Sequence, residues 1–118
     1  IISDLLPGPI TLIMKSKREF AKGVTKNGTI AIRVPLNKTA NDLAKESPVV
    51  TTSANIHGGK IAENMKEAKT IFGNNCYYLE GEKPTGIEST IIDLSKNKPE
   101  VRRIGALYST ILENMLEF

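Results

Sequence analysis

Hydroxyl and amide side chains gather at Thr51-Thr52-Ser53-Ala54-Asn55, just before the turn-forming pair Gly58-Gly59. Ser and Thr hydroxyls with exposed backbone N–H groups are what a nucleotide phosphate takes from a turn, and glycines let the backbone come close. At the carboxyl end of a buried strand, such a run stands where open α/β sheets bind ligands. The same residues are ordinary turn formers, so their chemistry leaves both readings open. Arg33 stands inside the apolar run Ile30-Ala31-Ile32-Arg33-Val34. Its planar fork suits a carboxylate ligand, and simple alternation toward solvent gives the same pattern. Arg102 and Arg103 are adjacent on an expected strand and therefore point to opposite faces, one free to serve a site while the other is solvated. Ser89-Thr90 opens a strand after a glycine-containing loop. His57 reads as a turn residue. A Ser/His/Asp or Cys/His arrangement, a metal cluster and a Walker-type loop are all missing from the sequence, which weighs against the common hydrolase and P-loop chemistries.

The elements that must position these groups follow from pattern and punctuation. Ile1 to Leu6 reads as the last turns of a helix, stopped by Pro7-Gly8-Pro9. Strands are expected over Ile10 to Lys15 and Thr29 to Val34, with a polar, basic loop over Lys17 to Gly28 between them. Asn37 or Thr39 caps a short helix over Ala40 to Lys45, and Pro48 launches a strand over Val49 to Thr52. A helix from about Ala62 to Phe72 carries Met65, Ala68 and Phe72 on one face and stops at Gly73. Cys76 to Leu79, Ser89 to Leu94 and Glu100 to Ile104 read as strands, and Leu107, Ile111, Leu112, Met115 and Leu116 as a final amphipathic helix. Interleaved strands and helices with short strand-to-strand links imply an α/β fold with a mixed sheet.

Composition sets the outer bounds. With 118 residues, 40% hydrophobic and 25% charged, the chain is about one domain long. Its apolar runs, Ile10 to Met14 broken by Thr11 and Ile30 to Val34 broken by Arg33, fall far short of the ~20 residues that span a bilayer. No membrane segment or signal peptide is visible, so the expected setting is cytoplasmic. The single cysteine, Cys76, is expected to be a small core residue. Asn27-Gly28-Thr29 and Asn37-Lys38-Thr39 match a glycosylation pattern that carries no weight without secretion. Residues 1 to 38 hold seven Lys/Arg against two Asp/Glu, so the net charge of +3 sits in the N-terminal third. Lys15, Lys17, Arg18, Lys22 and Lys26 there form either a polyanion-facing surface or a solvated loop.

Five segments, taken in order, resemble the signatures of the YrdC family: Leu6-Pro7-Gly8-Pro9-Ile10-Thr11-Leu12, Ile32-Arg33-Val34-Pro35, Thr52-Ser53-Ala54-Asn55-Ile56, Glu88-Ser89-Thr90-Ile91-Ile92-Asp93-Leu94 and Arg103-Ile104-Gly105-Ala106. The resemblance implies a YrdC-like twisted sheet, parallel and antiparallel, flanked by helices, in one domain over residues 1–118. It implies an enzyme that uses ATP, bicarbonate and L-threonine to make threonylcarbamoyl-AMP with release of pyrophosphate. That product modifies the adenosine next to the anticodon in tRNAs reading codons that begin with A, through a downstream transferase machinery. On this resemblance Ser53 and Asn55 hold the nucleotide phosphates, with Thr29 and Arg103 also on the ATP side. Arg33, Thr51 and Ser89 hold threonine, Arg33 through its carboxylate. Magnesium is expected with the triphosphate, and no acidic pair identifies a protein ligand for it.

The chain departs from the family pattern in three places. A Lys/Arg motif that grips the triphosphate belongs upstream of the first signature, and the chain opens on Ile1, so it is expected to be an N-terminally truncated piece without synthase activity alone. Ile61 replaces a small hydroxyl residue, which weakens a phosphate contact, and Ile104 replaces a proline, which changes a turn. Two other readings share much of the pattern. One is the carbamoyl-adenylate-forming domain of hydrogenase-maturation carbamoyltransferases. The other is a non-catalytic module for double-stranded RNA, which the basic N-terminal third suits and which leaves Ser53, Asn55 and Arg103 without a task.

Overall fold

In the computed structural model, which describes residues 2–107, the helix α1 (Ile2–Leu5) stops before Pro7-Gly8-Pro9 and strand β1 (Ile10–Lys15) follows at once. Proline has no amide proton to continue a helix. Gly8 donates its N–H to the Val34 carbonyl at 2.9 Å, tying the turn to the chain beyond the next long strand. Around β1, the strands β2 (Thr25–Lys26), β3 (Thr29–Ile32), β4 (Thr90–Asp93) and β5 (Glu100–Arg103) form one sheet in the order β2-β3-β1-β4-β5. β3 is antiparallel to β1, with Leu12 opposite Ile32 and Lys15 opposite Thr29, whereas β4 is parallel to it, with Ile10 opposite Thr90. β2–β3 and β4–β5 are antiparallel. The sheet is mixed, as the interleaving of elements implies.

β2 lies inside the stretch expected to be loop. Asn27 (φ 51°) and Gly28 (φ 74°) make a two-residue connection with positive φ at both positions, the geometry that matches strand twist in hairpins. Thr25 and Lys26 therefore fold back onto Ile30 and Thr29. The sequence carried this signal in Asn27-Gly28.

One face of β1 and β4 makes the core. Ile10, Leu12, Thr90 and Ile92 are almost wholly buried there with Leu5, and Leu6, Met14, Leu94 and Leu107 pack around them. Each fully buried aliphatic side chain contributes about 1.5–3 kcal/mol.

A bulge shapes the β4–β5 edge. Glu100 pairs with Asp93 and Val101 with Ile92, yet Arg103 and not Arg102 is opposite Ile91, so Arg102 is the extra residue. Arg102 reaches Asp93 at 3.0 Å and Arg103 reaches Ser89. Ser89 and Asp93 share one alternation of β4, so the bulge lets neighbouring arginines serve the same side of it. The expectation that they point to opposite faces, one of them solvated, is corrected accordingly.

Asp93 is 4% exposed. The Ser95 hydroxyl at 2.5 Å and the Ser95 N–H at 2.9 Å, then Arg102, hold its carboxyl down at about 2 against the opposing effect of burial. Its folded value lies below the ordinary 3.8, so this carboxylate stabilises the fold above about pH 4, and the contribution is lost as pH falls through about 2. Urea midpoints are expected to drop across that window in the native chain. Asp93→Asn is expected to lower the midpoint at neutral pH and to flatten that part of the profile.

The chain divides into two compact units, one built from residues up to Leu36 and from Ile87 onward, the other from Asn37–Gly86. The sheet belongs to the first. In the second, helix α2 (Lys38–Leu43) is capped by Asn37, whose Oδ1 accepts from the Ala40 N–H at 2.9 Å. Helix α3 (Met65–Phe72) is capped by Asn64, which accepts from the Glu67 N–H at 2.8 Å, while Glu67 accepts from the Glu63 N–H. Gly73, with φ 57°, ends α3 as expected.

Val49–Thr52 and Cys76–Leu79 are not strands. Both have β-type composition, but a strand also needs a ladder partner, and none exists for them among the described residues. Val50 is 74% exposed. Cys76 is exposed as well and is not a core residue. The expected final helix lies, apart from Leu107, outside the described residues. No helix among the described residues is long and apolar enough to cross a membrane.

Candidate functional site

The sheet register lines up several of the candidate residues. Arg33 directly follows Ile32, the last residue of β3, which stands opposite Leu12. The Thr11 hydroxyl lies 2.7 Å from the Ser89 hydroxyl. Ser89 is bound in turn by Arg103, whose Nε (3.0 Å) and Nη2 (2.9 Å) both donate to the Ser89 carbonyl, with Nη2 also 3.3 Å from Ser89 Oγ. Thr11, Ser89 and Arg103 thus form a hydrogen-bonded row at one end of the sheet, and Arg33 directly follows the strand that neighbours β1.

Each member is held differently. Ser89 is 7% exposed and precedes β4 directly. Gly105 crosses over it so closely that a Cβ would stand 2.2 Å from the Glu88 carbonyl oxygen and 2.7 Å from that of Ser89. Behind Ser89, the fully buried Thr90 uses its whole hydroxyl capacity: it donates to the Leu107 carbonyl at 2.7 Å and accepts from the N–H groups of Gly105 (3.0 Å) and Leu107 (3.2 Å). Arg103 also faces Glu88 at 3.5 Å. Arg33 is exposed and makes no hydrogen bond or ion pair among the described residues, which leaves its guanidinium available to an anion.

Thr29 is not in this row. It pairs with Lys15 at the far end of β1, four residues from Thr11 and so roughly 13 Å along the strand. Its hydroxyl donates to the Lys26 carbonyl at 2.8 Å and closes the Asn27-Gly28 turn.

Thr51, Ser53 and Asn55 belong to the second unit. Ser53 Oγ donates to Asn55 Oδ1 at 2.5 Å, and Asn55 Nδ2 donates to the carbonyls of Ile56 (3.0 Å) and Gly59 (3.1 Å). Asn55 therefore spends its amide protons on shaping a loop that the Ala62 N–H to Ala54 carbonyl bond (2.9 Å) closes. Within that loop the N–H groups of Ile56, His57 and Gly58 meet no protein acceptor among the described residues, an arrangement that suits an anion. Thr51 is exposed and lies in irregular chain. Tyr78 donates its hydroxyl to the Gly73 carbonyl at 2.6 Å, and its phenol is pushed up to about 12, chiefly through Cys76.

Sequence reading passed over Thr11 as a site residue. The signal was its hydroxyl interrupting an otherwise apolar strand, which was read only as a break in hydropathy.

Comparison with known proteins bears on this row. A family model for Sua5, YciO and YrdC, described as "Telomere recombination", matches residues 1–105. The threonylcarbamoyl-AMP synthase of Pyrococcus abyssi is 34% identical over 116 residues, covering 93% of this chain and 34% of that protein. The human threonylcarbamoyl-AMP synthase is 30% identical over 105 residues, covering 80% of this chain and 38% of that protein. The crystal structure of P. abyssi Sua5 complexed with L-threonine superposes with a TM-score of 0.84 at 28% identity, covering 97% of this chain and 35% of that one. The chain thus spans about a third of the length of these relatives. With the five ordered signatures, the mixed sheet and a family match over most of its length, the chain belongs to the Sua5/YciO/YrdC family.

Proposed function

We propose that this chain is part of an L-threonylcarbamoyladenylate synthase, an ATP-using nucleotidyltransferase of tRNA modification. The observation that carries this reading is the hydrogen-bonded row Thr11, Ser89 and Arg103, in a family where a solved member is crystallised with L-threonine. Arg33, unpaired within the described residues, takes the threonine carboxylate, and Ser89 and Thr51 complete the threonine side. By the resemblance, Ser53 and Asn55 take nucleotide phosphate, and Thr29 and Arg103 serve the ATP side. The threonine amine and bicarbonate give a carbamate with loss of water. A carbamate oxygen then attacks the α-phosphate of ATP, and pyrophosphate leaves. Positioning and charge neutralisation carry the reaction, without a covalent enzyme intermediate.

Magnesium accompanies the triphosphate as its counter-ion. No group of three or more His, Cys, Asp or Glu side chains suited to hold a metal lies among the described residues, so no step is assigned to a protein-held ion. The proposed setting is the cytoplasm, with tRNA-modification transferase machinery receiving the product.

The chain spans about a third of the length of its relatives, so the synthase activity is proposed for the whole protein, in which the resemblance implies a Lys/Arg segment that grips the triphosphate. Calorimetric titration with ATP and magnesium, with and without L-threonine, tests the reading on the chain alone and on a form joined to that segment. Threonine-coupled ATP binding is expected to appear or tighten in the joined form. If the joined form binds neither ligand yet holds duplex RNA, the synthase reading fails and an RNA-binding module replaces it.

A further inference from the structure

We propose that Thr11 is a positioning residue for the amino-acid substrate, one whose hydroxyl fixes Ser89 Oγ opposite the grip of Arg103. The inference rests on the reading that Arg33 and Ser89 hold L-threonine. Three observations carry it. Thr11 and Ser89 are 78 residues apart in sequence, yet their hydroxyl oxygens are 2.7 Å apart, Thr11 on β1 and Ser89 directly before the parallel strand β4. Thr11 directly precedes Leu12, whose β3 partner Ile32 directly precedes Arg33, and on the β4 side its hydroxyl meets Ser89. It also stands in a strand otherwise built of apolar residues up to Lys15, where valine would suit the pleated sheet as well and would spare the fold a hydroxyl.

Proton accounting shows what the pair offers a ligand. Two hydroxyl groups hold two protons, and one is spent on the bond between them. Arg103 Nη2, at 3.3 Å, occupies a lone pair of Ser89 Oγ. One hydroxyl proton of the pair is left for an acceptor on the ligand. Without the Thr11 hydroxyl, the Ser89 rotor loses this partner, while the charges of Arg33 and Arg103 stay. The β-branch of Thr11 limits its own rotation, which makes it a better post than serine.

The test uses the full-length protein and compares Thr11→Val, Thr11→Ser and Ser89→Ala. Thr11→Val is expected to raise KM for L-threonine about tenfold, the worth of one hydrogen bond, with KM for ATP and kcat nearly unchanged. Thr11→Ser is expected to recover most of that loss. A merely structural role would lower Tm and shift both KM values together. If Ser89→Ala raises KM for L-threonine and Thr11→Val does not, the Thr11 proposal is overturned and the threonine reading stands. If Ser89→Ala has no effect, the threonine reading itself fails and takes the proposal with it. Should Thr11→Val fail to fold, the comparison of Thr11→Ala with Thr11→Ser decides by the same criterion.

Discussion

On the proposed function, Arg103→Lys is expected to lower kcat/KM of the full-length protein for threonylcarbamoyl-AMP formation about a hundredfold, the scale of losing one preorganised donor at a charged reaction centre. The substitution keeps the positive charge and removes the fork. In the native chain Nε and Nη2 grip a single carbonyl, that of Ser89, while Nη2 also reaches its hydroxyl. A lysine ammonium is a compact point charge and cannot make both ends of that grip while presenting a further N–H to phosphate. Because Arg103 joins the proposed ATP side to a residue of the threonine side, KM is expected to rise for both substrates. Glu88→Gln is the companion measurement. Glu88 pairs with Arg103 at 3.5 Å on the surface, so its loss is expected to change the rate by less than about threefold. Steady-state pyrophosphate release measures both variants. Near-native activity of Arg103→Lys would mean that charge, and not the fork, is what the site uses.

Gly105→Ala is expected to destabilise the fold by about 3 kcal/mol, at the upper end of what overpacking costs. The reason is space. A Cβ at Gly105 would stand 2.2 Å from the Glu88 oxygen and 2.6 and 2.7 Å from the Ser89 carbon and oxygen, all backbone atoms that cannot rotate aside. Relief requires moving the Glu88–Ser89 and Ser89–Thr90 peptides, and with the second the carbonyl that Arg103 grips, or breaking the Gly105 N–H bond to Thr90. A thermal melt is expected to show Tm lowered by more than about 10 °C for a domain of this size. The same change is expected to weaken the row of Thr11, Ser89 and Arg103. A Tm within about 2 °C of native would show that the crossing is looser than these distances imply.

Much of this architecture is local information and was legible in the residues. Pro7-Gly8-Pro9 and Gly73 stop helices because of backbone chemistry that no distant contact alters. β1 spans the expected Ile10–Lys15, and Asn37 and Gly73 act as the expected caps. The short Asn27-Gly28 hairpin was legible as well and was passed over.

What the residues could not show depends on partners far away in sequence. Val49–Thr52 has strand composition and is not a strand, because pairing is decided by another segment and not by propensity. Cys76 has the chemistry of a core residue and lies exposed for the same reason. The bulge at Arg102 overrides the alternation rule, and only the β4–β5 register reveals it. Sequence motifs singled out Arg33, Ser89 and Arg103 one at a time. Only the tertiary structure brought Ser89 and Arg103 together, and it added Thr11, because the parallel pairing of β1 with β4 brings residues 78 positions apart within reach and nothing local to either residue encodes that neighbour.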